Sequence, residues 1–345
     1  MKTGAIKTLM LVIILSVFPV SCKRNPLNVK ISGIEVNLKI QRFEQDLFKP
    51  EPGVVARKIP DLQDKYGLFL QRFGEIIHIG HPGDPLFAGY LEKFISDTLI
   101  RDVYLKSQEV FPDVNGLEKK LNKAFRYYKY YFPDKPLPEI ITYISGFNAS
   151  LMIDKGFLGI GLDRYLGKTV DYYDRLGIPR YLQQKMIPEK IPSDCMSALA
   201  QTEFPFYPSH TDSVSVRENV ISHMIYKGKL LYFVKAMMPH EKDELILGFT
   251  SEQLKWCLMN EGQMWATLIE QKLLFSTHYL VINKLTRDAP FTSYFPRESP
   301  GRAANWIGWQ IVQAYMSSHK EVSLAEMMNN YDYQKILDES GYNPE

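Results

Sequence analysis

Between Ile34 and Arg42 the chain reads IEVNLKIQR, with Ile34, Val36, Leu38 and Ile40 alternating against polar partners. That period of two predicts a half-buried strand at the start of the fold. Apolar residues then recur at intervals of three and four over Asp61 to Phe73, Pro85 to Ile100 and Leu117 to Tyr131, which is the spacing of helices with one buried face. The period changes again at Pro138 to Ser145, Ala149 to Asp154 and Phe157 to Leu162. These short β-branched runs, split by Gly146-Phe147-Asn148 and Lys155-Gly156, predict a compact antiparallel or mixed sheet. From Asp163 to Asp212 tyrosines and prolines dominate without a sustained period, and loop is expected. Helical spacing resumes over Ser215 to Met238, Ser251 to Thr277 and Pro300 to Met316, with short helices at Leu324 to Asn330 and Tyr333 to Glu339. Ser299 followed by Pro300 reads as an N-cap and a first-turn proline. The class implied is α+β, mostly helical with a small β-sheet.

The first residues carry a different pattern. Lys2 and Lys7 precede an apolar run from Leu9 to Phe18, and Val20-Ser21-Cys22 closes it with small residues before a cysteine. This is the layout of a bacterial lipoprotein signal, with Pro19 standing where an aliphatic residue is usual. The apolar run is about half the roughly 20 residues a membrane span needs. The expected organisation is a signal peptide over residues 1–21, a lipidated tether over 22–30 beginning at Cys22, and one domain over 31–345. No acidic residue follows the cysteine in Lys23-Arg24-Asn25-Pro26, so the expected address is the outer membrane, lipid-anchored on its periplasmic face.

Charge narrows the partners. The chain holds 41 Lys and Arg against 39 Asp and Glu, and loss of Lys2 and Lys7 with the signal makes the balance even. A neutral chain is not built to bind nucleic acid or polybasic-dependent lipid surfaces as its main task. Besides Cys22 there are Cys195 and Cys257, which in an oxidising periplasm either pair or stand as two buried thiols.

Candidate chemistry centres on the Ser215 to Met238 helix. Val220, Met224, Lys227, Leu231 and Val234 form one stripe interrupted by a lysine; Leu254, Leu258, Glu261, Trp265 and Leu268 form another interrupted by a glutamate. A lone charge at the centre of an apolar face is costly to desolvate, so Lys227 and Glu261 are expected to meet. His223 and Lys227 also share the register of the zinc-protease motif H-E-x-x-H, here His223-Met224-Ile225-Tyr226-Lys227. Met224 cannot serve as a base and a protonated Lys227 repels a dication, so catalysis is not expected there. The alternatives are a metallopeptidase-like enzyme with an atypical zinc site at His223 and Glu261, and a cell-wall or polysaccharide binding protein resting on aromatic abundance. Arg297, Glu298 and Arg302, beside a helix start, are possible polar groups of a cleft. Tyr165, Tyr172, Tyr173 and Tyr181 are expected to form part of a binding surface. His78 and His81 flank a turn, and Gly159-Ile160-Gly161 lacks the lysine of a phosphate loop. No cofactor is implied.

Several segments together resemble the GldB-like gliding-motility lipoproteins of Bacteroidota: IEVNLKIQRFEQDLF, ISGFNASLMIDKGFLGIGLDRYLG, YLQQKMIPEKIPSDC, HMIYKGKLLYFVKAMMP, GFTSEQLKWCLMNEGQMWATLIEQKLLFST and PFTSYFPRESPGRAANWIGWQIVQAYM. The resemblance implies a fold similar to gluzincin-type metalloproteases with a degenerate metal site at His223, Lys227 and Glu261. It also implies an envelope lipoprotein, held in the membrane through Cys22, whose partner belongs to the gliding or type IX secretion machinery or to its counterpart in non-gliding bacteria.

Overall fold

The computed structural model describes residues 25–49, 53–207 and 217–344; the signal segment and Cys22 lie outside the described residues. Helix accounts for 57% of the chain against one four-stranded sheet, which makes the class α+β.

The alternating run at the start pairs over only three residues, β1 (Ile40–Arg42). The backbone before it is taken by side chains instead of a neighbouring strand. Asn122 donates to the Leu38 carbonyl and accepts from its N–H, and Glu118 accepts from the Ile40 N–H. Those groups project from α6 (Asn115–Tyr131), which follows α1 (Phe43–Phe48), α2 (Val55–Tyr66), α3 (Leu68–Ile76), α4 (Phe87–Ser96) and α5 (Thr98–Val110). The periodic stretch around Asp61 to Phe73 is two helices, because Gly67 turns the chain at φ 47°, a value that favours glycine. The described residues of the expected tether touch the domain, Asn25 donating to the Pro239 carbonyl and Asn28 accepting from Tyr127, and just beyond them Arg126 donates to the carbonyls of Ile31 and Ile34.

The sheet matches its sequence signal closely. Strands β2 (Glu139–Tyr143), β3 (Leu151–Asp154) and β4 (Phe157–Gly161) join β1 in the order β1-β2-β4-β3, with β3 antiparallel to β4 and the other pairs parallel. Ile141 lies opposite Gly159, and Leu158 opposite Ile153. The strand β4 is buried along its whole length, as expected of a strand covered on both faces. On one side Phe69 meets Tyr143 and Phe157 edge-on, at 5.9 and 5.4 Å between centroids. A later helix covers β3 and β4.

That helix falls where loop was expected. After α7 (Asp171–Arg175) and α8 (Arg180–Gln183), α9 (Ile191–Glu203) runs for 13 residues and buries Ile191, Cys195, Met196, Leu199 and Ala200. Pro192 does not break it, because proline in the first helical turn displaces an N–H that has no partner. The centre of the second half is α10 (Val220–Met237), opened by a capping box in which Asn219 and Ser222 exchange hydrogen bonds. The remaining helices are α11 (Asp243–Leu247), α12 (Ser251–Met259), α13 (Glu261–Glu270), α14 (Tyr279–Thr286), α15 (Ala303–Ser318), α16 (Leu324–Asn329) and α17 (Tyr333–Ser340).

Two further expectations are corrected here, and the open question of the cysteines is answered. The long helix over Ser251 to Thr277 is broken at Asn260, whose side-chain amide donates to the Trp256 carbonyl at 2.8 Å and competes with the helical bond. Its apolar stripe is therefore discontinuous: Trp265 and Leu268 are buried, whereas Leu258 is 60% exposed. Ser299 is not the cap of α15. The residue before that helix is Arg302, at φ 55°, and the first N–H, of Ala303, is taken by the hydroxyl of Thr292 at 2.8 Å. Cys195 and Cys257 are both free and buried.

Helices α10 and α15 approach so closely that side chains are excluded from the crossing. A Cβ on Gly228 would lie 2.2 Å from the Gly308 carbonyl oxygen, and one on Gly308 would lie 1.8 Å from that of Met224. With most of its circumference buried, α10 leaves one row only partly covered: His223, Lys227, Leu231 and Lys235, each four residues after the last. The lysine that interrupts the predicted core stripe thus stands on the open side of the helix.

Candidate functional site

That row faces a cleft of about 860 Å³ walled by α9, α10, α14 and the start of α15, with Arg164, Tyr165 and the Tyr181 to Met186 segment closing one side. Six lysines and arginines line it (Arg164, Lys185, Lys190, Lys227, Arg287 and Arg302). Against them stand three carboxylates among the described residues: Asp194, Glu218 and Asp288. A chain with a net charge of only +2 has gathered a cationic surplus in one concave place.

The carboxylates are already engaged. Asp194 pairs with Lys190 at 2.6 Å and accepts from the Tyr165 hydroxyl at 3.1 Å. Asp288 bridges Lys185 at 2.8 Å and Arg302 at 2.7 Å. Burial raises the Asp288 carboxyl, and Arg302 and Lys185 more than reverse that, holding it below the usual carboxylate range. The guanidinium of Arg302 also donates to the Leu247 carbonyl and is fixed on two sides. Its position follows from the left-handed turn before α15, which needs Thr292 as its distant cap.

Glu218 holds His223, with Oε1 3.0 Å from Nε2, and the imidazole stacks on Phe206 at 4.4 Å between centroids. Burial lowers the His223 pKa; Glu218 opposes this, and the charges of Lys227 and Arg287 add to the lowering. Lys227 is lowered too, first by burial and then by Arg302, with Asp288 opposing and Arg287 adding. Its ammonium lies 5.5 Å from the Tyr226 ring and takes part in no hydrogen bond or ion pair with a described residue.

The donor set does not fit a bound dication. Among the described residues no group of three or more His, Cys, Asp or Glu is arranged to hold a metal ion. The one imidazole in the cleft faces a single carboxylate, and the position one helical turn further on is a cation. Glu261 is elsewhere: it begins α13, accepts from the Tyr342 hydroxyl at 2.8 Å, and lines a separate shallow hollow with Leu258 and Met259. The expected meeting of Lys227 with Glu261 does not occur.

Of the other expected groups, Arg302 lines the cleft, while Arg297 and Glu298 are exposed outside it. Tyr173 is a core residue, 0% exposed, and Tyr172 packs beside Phe147. Tyr165, though only 2% exposed, and Tyr181 both line the cleft. Lys185, Lys190, Asp194, Glu218, Arg287 and Asp288 were not singled out from sequence. They come from four separate segments, and no local spacing marks them.

The fold and cleft define a mostly helical α+β protein with a cleft in which cationic side chains outnumber carboxylates. The family model described as gliding motility protein GldB matches residues 24–344, and the chain belongs to that family of gliding motility-associated proteins. No curated protein and no solved structure matches it. Among the described residues no helix is long and apolar enough to cross a membrane.

Proposed function

We propose that this protein is a non-catalytic lipoprotein of the outer membrane, anchored through Cys22 and facing the periplasm, which uses the cleft beside α10 to hold a component of the gliding or type IX secretion machinery or its counterpart in non-gliding bacteria. In this reading the cleft descends from a zincin-like metal site that has lost its ligands. One observation carries it: Lys227 stands four residues after His223 on the cleft wall, beside Arg302 and Arg287, where a second neutral ligand would be needed for zinc.

Elemental analysis of the chain beginning at Lys23, purified without chelator and without a histidine tag, tests the non-catalytic reading. Zinc far below one equivalent is expected, and near-stoichiometric zinc would overturn it. Anchoring is tested separately: Cys22→Ala should move the protein out of the membrane fraction, and unchanged fractionation counts against lipidation.

A further inference from the structure

We infer that the cleft is an oxyanion site for a phosphorylated ligand, whose dianionic phosphoryl group sits among Lys227, Arg287 and Arg302. This deepens the proposal above and rests on its view of the cleft as a place of binding.

The charges decide the sign. Lys185, Lys227, Arg287 and Arg302 lie close enough to act on one another, with Asp288 among them and Asp194 reaching Lys185 as well. Asp288 is shared by Lys185 and Arg302. Arg287 has an aromatic neighbour, its guanidinium 5.4 Å from the Tyr279 ring, and Lys227 has the Tyr226 ring. Neither has a described carboxylate partner. Burial strips hydration from Lys185 and Lys227, Arg302 repels both, and the exposed Arg287 repels Lys227 as well. An anion removes the cost. A single carboxylate would leave most of the surplus uncompensated, whereas a phosphate monoester brings close to two charges and several acceptor oxygens, and guanidinium and ammonium groups are its usual partners.

The cleft is much larger than a phosphoryl group. Leu230, Leu231, Val234, Ile246 and Leu247 line it as well. They make room for a body attached to the phosphate, either the acyl chains of a lipid or the carbon skeleton of a soluble phosphate ester. The shared chemistry is the phosphoryl group.

Isothermal titration of the chain beginning at Lys23 with glycerol 3-phosphate, with a short-chain phosphatidic acid below its micelle concentration, and with acetate tests this. Both phosphate esters should bind, with acetate at least about tenfold weaker, and affinity should fall as potassium chloride is raised. A tighter phosphatidic acid identifies the lipid source, and equal affinities identify the soluble one. Lys227→Met and Arg287→Gln should each weaken phosphate binding about tenfold, Lys227→Arg should retain it, and Arg297→Ala, outside the cleft, should leave it unchanged. No binding of either ester, acetate equal to phosphate, or affinity indifferent to Lys227→Met and Arg287→Gln in folded protein would overturn the inference. The two proposals fail separately. Zinc in the preparation with phosphate binding that survives chelator sinks the non-catalytic reading alone; absent zinc with absent binding sinks the oxyanion site alone.

Discussion

Replacing Gly308 by alanine inserts a methyl group where α10 and α15 touch backbone to backbone. The added carbon would lie 1.8 Å from the carbonyl oxygen of Met224 and 2.4 Å from its carbonyl carbon, far inside van der Waals contact. Because the obstruction is main chain, no rotamer change relieves it, and the helices must part by more than an ångström. Met224, Ile225, Trp306, Ile307 and Ile311, all buried around this contact, would lose close packing at once. Overpacking of a core costs about 1–3 kcal/mol, and displacement of two central helices belongs at the upper end. Helix propensity argues the other way, since alanine is favoured over glycine in a helix interior by about 1 kcal/mol. A net loss of about 2 kcal/mol is therefore expected. Gly89, exposed on α4, supplies the control, because a Cβ there meets nothing within 4 Å and Gly89→Ala should stabilise by up to about 1 kcal/mol. Urea unfolding of both variants and the parent, followed by tryptophan fluorescence and far-ultraviolet dichroism, measures the shift in midpoint at constant slope. Opposite signs are expected. If Gly308→Ala stabilised as Gly89→Ala does, the close crossing, and with it the placement of Lys227 and Arg302 on one cleft wall, would be refuted.

Other substitutions read different parts of the fold. Burial pushes the Lys229 ammonium down to about 7 from its ordinary 10.5; its Nζ donates to the Asn330 carbonyl at 2.7 Å and lies 5.2 Å from each of the Tyr331 and Tyr333 rings. With the folded pKa below the unfolded one, the unfolded chain binds more protons between about pH 7 and 10.5, so stability should rise with pH across that window. Lys229→Met should flatten the rise, and urea midpoints at pH 7 and 9.5 that climb equally in both proteins would disprove it. Lys227→Met and Glu261→Leu touch separate sites, so in a double-mutant cycle their effects should add within about 0.5 kcal/mol; a larger coupling would mean that the two groups meet after all.

Much of the local structure was legible in short stretches of sequence. The strands β2, β3 and β4 fall within a residue or two of their β-branched runs, because Gly146-Phe147-Asn148 and Lys155-Gly156 interrupt those runs and the second of them closes the β3–β4 hairpin. The helix around His223 was legible too, although it was expected from Ser215 and begins only at Val220, where Asn219 caps it. The site was less so. Of the polar groups proposed for a cleft, Arg302 is in it, but Arg297 and Glu298, five and four residues earlier, are not, since a left-handed turn at Arg302 redirects the chain between them. The stripe through Lys227 had the correct spacing and the wrong meaning: a row at intervals of three and four can face a core or a cleft, and only the neighbours distinguish the two.

Short stretches of the chain suffice for the periods of the helices and strands, and the whole chain for the near balance of charge and the family to which it belongs. The tertiary structure decided the rest. It started the first strand late by spending the backbone before it on Asn122 and Glu118, capped α15 with Thr292, and sent Glu261 to Tyr342 instead of Lys227. Each of these is settled by a partner far along the chain whose hydrogen bond or packing outweighs a local preference of about a kilocalorie per mole, and such partners leave no spacing in the sequence to be read.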